Sequence, residues 1–176
     1  HESQRYVILE VTFQLLLGHH SQPVTYPELA RRVNVEIGQR STLQAVREAV
    51  LELRATKGMV LEKIDHDTWS VGSFFTNPIV AADTFTDVPS DAPRWAQPNG
   101  EIKLSAAWLI ENSGHPKGFG LNERAKISSK HTLALTNRGD ATSHDILELA
   151  HHIKREVKEK FSIDLAIEPN LVGDFQ

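Results

Sequence analysis

The chain has 176 residues, 40% hydrophobic and 24% charged, enough to bury a core in one large or two small domains. Its 19 Lys plus Arg against 23 Asp plus Glu give a formal net charge of −4, which argues against a general nucleic-acid or anionic-membrane binder. No cysteine is present, so disulfides, thiolate metal sites and a catalytic thiol are all excluded. The sequence opens at His1, and Met59 is its single methionine; it reads as a cut piece of a larger soluble protein. The most apolar run, Val7 to Leu17, is broken by Glu10 and Gln14 and is short of the roughly 20 residues that span a bilayer. No signal-peptide pattern precedes it.

"YVILEVTFQL" alternates, with Val7, Leu9, Val11, Phe13 and Leu15 on one side, and predicts a strand with one buried face. "TYPEL" spaces Thr25 and Glu28 as a capping box with Pro27 in the first turn, so a short helix is expected over 25–33. Ser41 and Gln44 form a second box and open a helix over 41–54, striped by Leu43, Val46, Val50 and Leu53 and stopped at Gly58. Met59 to Pro78 is strand-like with turns, and Thr86 to Asn99, with Pro89, Pro93 and Pro98, reads as a surface loop. "SAAWLIENSG" predicts a helix capped by Ser105 and ended before Gly114, followed by a long loop from His115 to Lys130. "HTLALTN" is a short strand. Ser143 then caps a strong helix whose Ile146, Leu149, Ala150, Ile153, Val157 and Phe161 share one face. "IDLAIEPNLVG" closes the chain as a strand. The fold class is α+β.

Residue types alone carry little chemistry. The two early helices suggest a helix-turn-helix, but without a basic stripe a helical pair packed on a sheet fits better. Nine histidines occur without metal-ligand spacing, so no metal site is expected and they read as solvent-facing. Ser73, between Gly72 and the pair Phe74–Phe75, is outside any Gly-x-Ser-x-Gly elbow; on spacing it is a strand serine near a tight turn. Lys57, at the end of the 41–54 helix, reads as compensation for the helix dipole. Glu168 sits in an apolar strand, either at an exposed end or partly buried with a raised pKa.

In order along the chain, "GSFFTNP", "KLSAAWLIENSG", "SSKHTLALTN" and the terminal "EPNLVG" resemble the carboxy-terminal portion of the UDP-N-acetylenolpyruvoylglucosamine reductases. The likeness spans nearly the whole chain, with Gly-Ser-Phe-Phe-x-Asn-Pro its most specific element. It implies a flavin-dependent reduction, driven by NADPH, that yields UDP-N-acetylmuramate for peptidoglycan. Ser73 then corresponds to the proton donor to C2 once hydride has reached C3, Gly72 lets the substrate approach closely, and Gly72 and Ser73 together contact the flavin cofactor. Phe74 and Phe75 supply a dry wall. Glu168 corresponds to a second catalytic group beside the enolpyruvyl carboxylate. A catalytic arginine, from a Gly-Tyr-Arg segment of the family, has no counterpart in this chain.

By the same resemblance Tyr26, Lys57, Asn77 and His131 contact the diphosphate and nucleotide, and Trp95 lies against the uridine or sugar. Tyr26 implies a loop that closes over the substrate. Glu123, Arg124 and Lys126 stand where many relatives have small residues, and Pro169–Asn170 where relatives often have Val-Arg. The implied organisation is 1–57 as the end of the second flavin-binding domain with connecting helices, 58–163 as the substrate-binding domain, and 164–176 as a strand returning to the flavin side. FAD is bound mainly by a part this chain lacks. The protein is expected to be cytoplasmic and monomeric, with UDP-N-acetylglucosamine enolpyruvate as its partner and neither nucleic acid nor membrane. The competing reading is a UDP-sugar-binding module without chemistry.

Overall fold

The computed structural model describes residues 7–81, 84, 85 and 87–173. Tyr6 and Thr86, each the first residue of an expected segment, lie outside the described residues. The chain divides into two compact units, His1–Glu52 and Leu53–Gln176. No helix is long and apolar enough to cross a membrane among the described residues.

In the first unit the expected strand is not formed. Residues 7–17 carry no secondary structure, and Val7, Leu9, Val11, Phe13 and Leu15 are all exposed. Alternation specifies which face of a strand would be buried, but a strand is stabilised by a neighbouring ladder and a cover. Neither is present among the described residues of this unit, so within it the helical pair has no sheet to pack on. Helix α1, Pro27–Arg32, starts from Tyr26 without a side-chain cap bond; Pro27, already fixed in φ, takes the first turn and Thr25 makes no box. Helix α2, Leu43–Thr56, is capped by Thr42, whose Oγ1 accepts from the Ala45 N–H at 3.2 Å. The cap is therefore one residue later than Ser41, whose own N–H goes to Ser21 Oγ at 3.2 Å. The expected stripe on α2 is only half covered, and Ala49 is its one buried residue.

Gly58 does end α2. Its N–H reaches Ala55 O at 3.0 Å and the Met59 N–H reaches Arg54 O at 2.8 Å, a Schellman closure that satisfies two terminal carbonyls. The closure needs φ +69° at Gly58, and a Cβ there would sit 2.7 Å from the Asp67 carbonyl oxygen. Only glycine meets both demands.

In the second unit, Met59 to Pro78 is mostly turns, with a single 3-10 turn at His66–Thr68 capped by Asp65. Strands β1 (Ile79–Val80), β2 (Arg94–Ala96) and β3 (Ile102–Leu104) form an antiparallel sheet in the order β1-β3-β2. Strand β4 (Ala125–Ile127) pairs antiparallel with β5 (Leu135–Asn137). Two expected loops thus each contain a strand. Arg94–Ala96 pairs although it lies between Pro93 and Pro98, because β2 sits at a sheet edge where the flanking prolines remove no ladder bond. Helix α3 (Ala106–Asn112) has the expected cap, Ser105 Oγ accepting from the Trp108 N–H at 3.2 Å.

Helix α4 (Ser143–Phe161) organises the core. Leu149, Ala150, Ile153, Val157 and Phe161 are buried along one face, as the periodicity requires, with Ile146 half-buried. Fully burying each large apolar side chain contributes roughly 1.5–3 kcal/mol, so this stripe outweighs any single polar contact around it. The helix begins one residue earlier than a Ser143 cap would place it: Thr142 and Asp145 form the capping box. The same Asp145 accepts from Arg124 Nε at 3.0 Å and from Asn122 Nδ2 at 3.1 Å. Arg124 and Lys126 are thereby engaged within the fold, Lys126 pairing with Glu123 at 2.8 Å. Arg124 and the Thr142 cap hold the Asp145 carboxyl well below the ordinary carboxylate range.

The final segment forms no regular strand, only an isolated antiparallel bridge between Ile167 and Phe75. Ile163 and Leu165 are nevertheless buried, so the alternation placed its apolar face correctly. The mixture of helices and antiparallel strands agrees with the α+β expectation.

Candidate active site

The residues from Gly72 to Thr76 are tied by their backbone to two other segments. Ser73 bridges Ala134, and the Phe74 N–H donates to Leu133 O at 2.7 Å. The Glu168 N–H donates to Phe74 O at 3.0 Å, and the Thr76 N–H to Ala166 O at 3.1 Å. These bonds bring Glu168 beside Ser73, although 95 positions separate them in sequence (168 − 73). Gly72 precedes Ser73 with φ +88°, which turns the chain ahead of the bridge.

The result is a cleft of about 670 Å³, lined by Gly72, Ser73, Glu168 and Pro169 together with Arg54, Met59, Leu61, Thr68, Ser70 and Val71. The Ser73 hydroxyl has no hydrogen-bond partner among the described residues, so its proton is available to a ligand. Glu168 is exposed at the rim, which is the first of its two expected settings. Phe74 and Phe75 do not line this cleft. They are buried and meet edge-on at 5.6 Å, so they fix the position of Ser73 from beneath and are not the expected wall.

The other expected contacts are not all gathered here. Asn77 Oδ1 accepts from the Ala106 N–H at 2.9 Å, satisfying an orphan donor at the start of α3, and the residue lines a second cavity of about 620 Å³. Trp95 is half exposed on β2, paired in register with Lys103. Tyr26 is exposed in the first unit. His131 is half-buried, and its Nδ1 accepts from the Leu133 N–H at 3.1 Å. Burial pushes its pKa down, and the charges of Lys117 and Lys57 push it further the same way. A neutral ring with Nδ1 accepting carries its proton on Nε2. His115 departs from the expectation of solvent-facing histidines: it is 3% exposed, with Nδ1 2.9 Å from Ser113 Oγ.

Three features escape the sequence. Arg54 and Ser70 share the cleft with Ser73. Asp67 organises the neighbouring loop: it accepts from the Ser129 N–H at 2.9 Å, from Ser129 Oγ at 2.5 Å and from Arg138 Nη1 at 2.9 Å. Burial alone would raise its pKa, but these donors hold it below the ordinary value of 3.8. No spacing signals Asp67, because its partners lie 62 and 71 residues away.

Among known families, the UDP-N-acetylenolpyruvoylglucosamine reductase C-terminal domain matches residues 63–172. The UDP-N-acetylenolpyruvoylglucosamine reductase of Cutibacterium acnes is 53% identical over 174 residues, covering 98% of this chain and 46% of that protein. The reductase of the same name from Mycolicibacterium gilvum is 52% identical over 176 residues, covering 97% and 50%. For Streptomyces coelicolor the identity is 48% over 183 residues, covering 98% and 48%. The chain spans about half the length of the curated relatives it matches. The resemblance carried by Gly-Ser-Phe-Phe-x-Asn-Pro and the three later motifs is therefore borne out: the chain belongs to the UDP-N-acetylenolpyruvoylglucosamine reductase C-terminal domain family.

Proposed function

We propose that this chain supplies the substrate-binding and proton-donating part of a cytoplasmic, monomeric reductase that converts UDP-N-acetylenolpyruvoylglucosamine to UDP-N-acetylmuramate. The observation that carries the reading is the cleft that joins Gly72, Ser73 and Glu168 within the matched region. In this reading residues 58–163 form the substrate domain, and 1–57 and 164–176 belong to the flavin side.

In this reading the reacting ring of a flavin would meet Gly72 and Ser73 at the cleft. No glycine-rich turn opens a helix to cradle phosphates: at Gly120, near Gly118, an added Cβ would strike the Ala125 carbonyl at 2.6 Å, so that glycine serves packing against β4. The dinucleotide phosphates would be held by the part of the longer protein this chain lacks. When bound, FAD reduced by NADPH supplies hydride. Ser73 holds a proton toward C2 of the enolpyruvyl group; a neutral hydroxyl is a weak acid, so it acts only on a strongly basic enolic carbon fixed in place. Glu168 faces the substrate carboxylate from the rim of the cleft. Lys57, Tyr26, Asn77 and the His131 Nε2–H position the diphosphate and nucleotide, and Trp95 the uridine or sugar.

The test uses the full-length protein. Visible flavin absorbance, with NADPH consumed on addition of the enolpyruvyl sugar nucleotide, supports the reading. A colourless protein that binds the sugar nucleotide would leave only a binding module.

Lys57→Ala in that protein should raise KM about tenfold with kcat nearly unchanged. Its charge meets a diphosphate present equally in the ground and transition states, and such uniform binding is expressed in KM. Steady-state kinetics check this. A large fall in kcat at constant KM would instead place Lys57 with Ser73 in proton transfer.

A further inference from the structure

Arg54 lines the same cleft as Ser73 and Glu168, and among the cleft-lining residues it is the one cation and Glu168 the one carboxylate. It stands in the last turn of α2, where the Schellman closure at Gly58 fixes the backbone around it through the Arg54 carbonyl. Other arginines of the chain are committed to carboxylates: Arg32 to Glu52, Arg124 to Asp145, Arg138 to Asp67 and Arg155 to Glu156. Neither Arg54 nor Glu168 joins an ion pair among the described residues, although their charges are opposite and they border one cavity.

That arrangement has an electrostatic consequence. A cleft whose single ionised group was Glu168 would repel an anionic ligand. The reductase reading, on which this inference rests, places in it a substrate with a carboxylate and a diphosphate. A guanidinium presents a planar fork of donors that matches either group with two parallel hydrogen bonds and offsets the charge of Glu168. Dipole compensation at a helix end needs no cleft and no fork. We infer that Arg54 is a substrate-binding residue, its guanidinium receiving an anionic group of the sugar nucleotide within the Ser73–Glu168 cleft.

Arg54→Gln and Arg54→Lys in the full-length protein test it, since both replacements keep good helix propensity and the site is exposed. The probes are the enolpyruvyl sugar nucleotide and UDP-N-acetylglucosamine, which shares the diphosphate but has no carboxylate. Dissociation constants from calorimetry are read together with the melting temperature. Loss of a charge-assisted contact should weaken the enolpyruvyl ligand roughly tenfold to a hundredfold in Arg54→Gln. Arg54→Lys should recover part of it, as charge returns without the fork. If UDP-N-acetylglucosamine binding is unchanged, the anion is the carboxylate; if both ligands weaken alike, it is the diphosphate. Unchanged affinity for both, or a lowered melting temperature alone, overturns the inference and leaves the reductase reading intact. An unsubstituted protein that binds neither nucleotide overturns both.

Discussion

Ser73→Ala in the full-length protein should leave flavin reduction by NADPH unchanged and slow the reoxidation by enolpyruvyl substrate roughly 10²–10⁴-fold, the range for losing a positioned general acid. The first half-reaction needs no proton at the sugar, so the hydroxyl is irrelevant to it. The second needs a proton at C2, and the Ser73 hydroxyl, with no partner among the described residues, stands in the cleft beside Glu168 to give it. Alanine preserves the Ser73–Ala134 bridge and the Phe74 N–H to Leu133 O bond, which are backbone contacts. The cleft should therefore keep its shape. Stopped-flow absorbance separates the two steps. Equal slowing of both would make Ser73 a residue that shapes the pocket, and normal reoxidation would remove its role altogether.

Asp67→Ala should lower the stability of the chain by roughly 2–3 kcal/mol, or a melting temperature fall of the order of 10 °C. Alanine strands the Ser129 N–H and hydroxyl, and leaves Arg138 without its carboxylate. The cost is below that of a fully buried pair because Arg138 is 31% exposed and recovers some water. The direction of the pH dependence follows from the carboxyl being held below 3.8. Its contribution is complete above that value and is lost as pH falls through the lower folded pKa. Thermal unfolding of the unsubstituted chain should thus weaken more steeply in acid than that of the variant; parallel curves would contradict the assignment. Because Ser129 carries the loop that ends at His131, the variant of the full-length protein should also show a raised KM.

Much of the second unit was legible in order along the chain. Helix α4 follows from a 3.6-residue stripe that any core would bury, and α3 from a serine cap and a turn-favouring end, both local signals. The motifs around Ser73 carry the family likeness in residues adjacent along the chain. Boundaries are less sharply marked: the caps fall one residue later at Thr42 and one residue earlier at Thr142, because Ser and Thr neighbours compete for the same terminal N–H groups. Strands β2 and β4 have no signature in the sequence, since strands of three residues carry too few side chains for a period to emerge.

By itself the sequence determined the class of fold, the apolar faces of its helices and the membership carried by four motifs, because these depend on residues within a few positions of one another. Whether the alternating Val7–Leu17 run becomes a strand was a tertiary decision, as a strand exists only with a partner. The meeting of Ser73 with Glu168 was decided the same way, through backbone bonds between 74–76 and 166–168. Asp67 reads as an ordinary turn aspartate until Ser129 and Arg138 are folded against it. Each of these rests on pairs far apart in sequence, and only closing the intervening chain makes their chemistry visible.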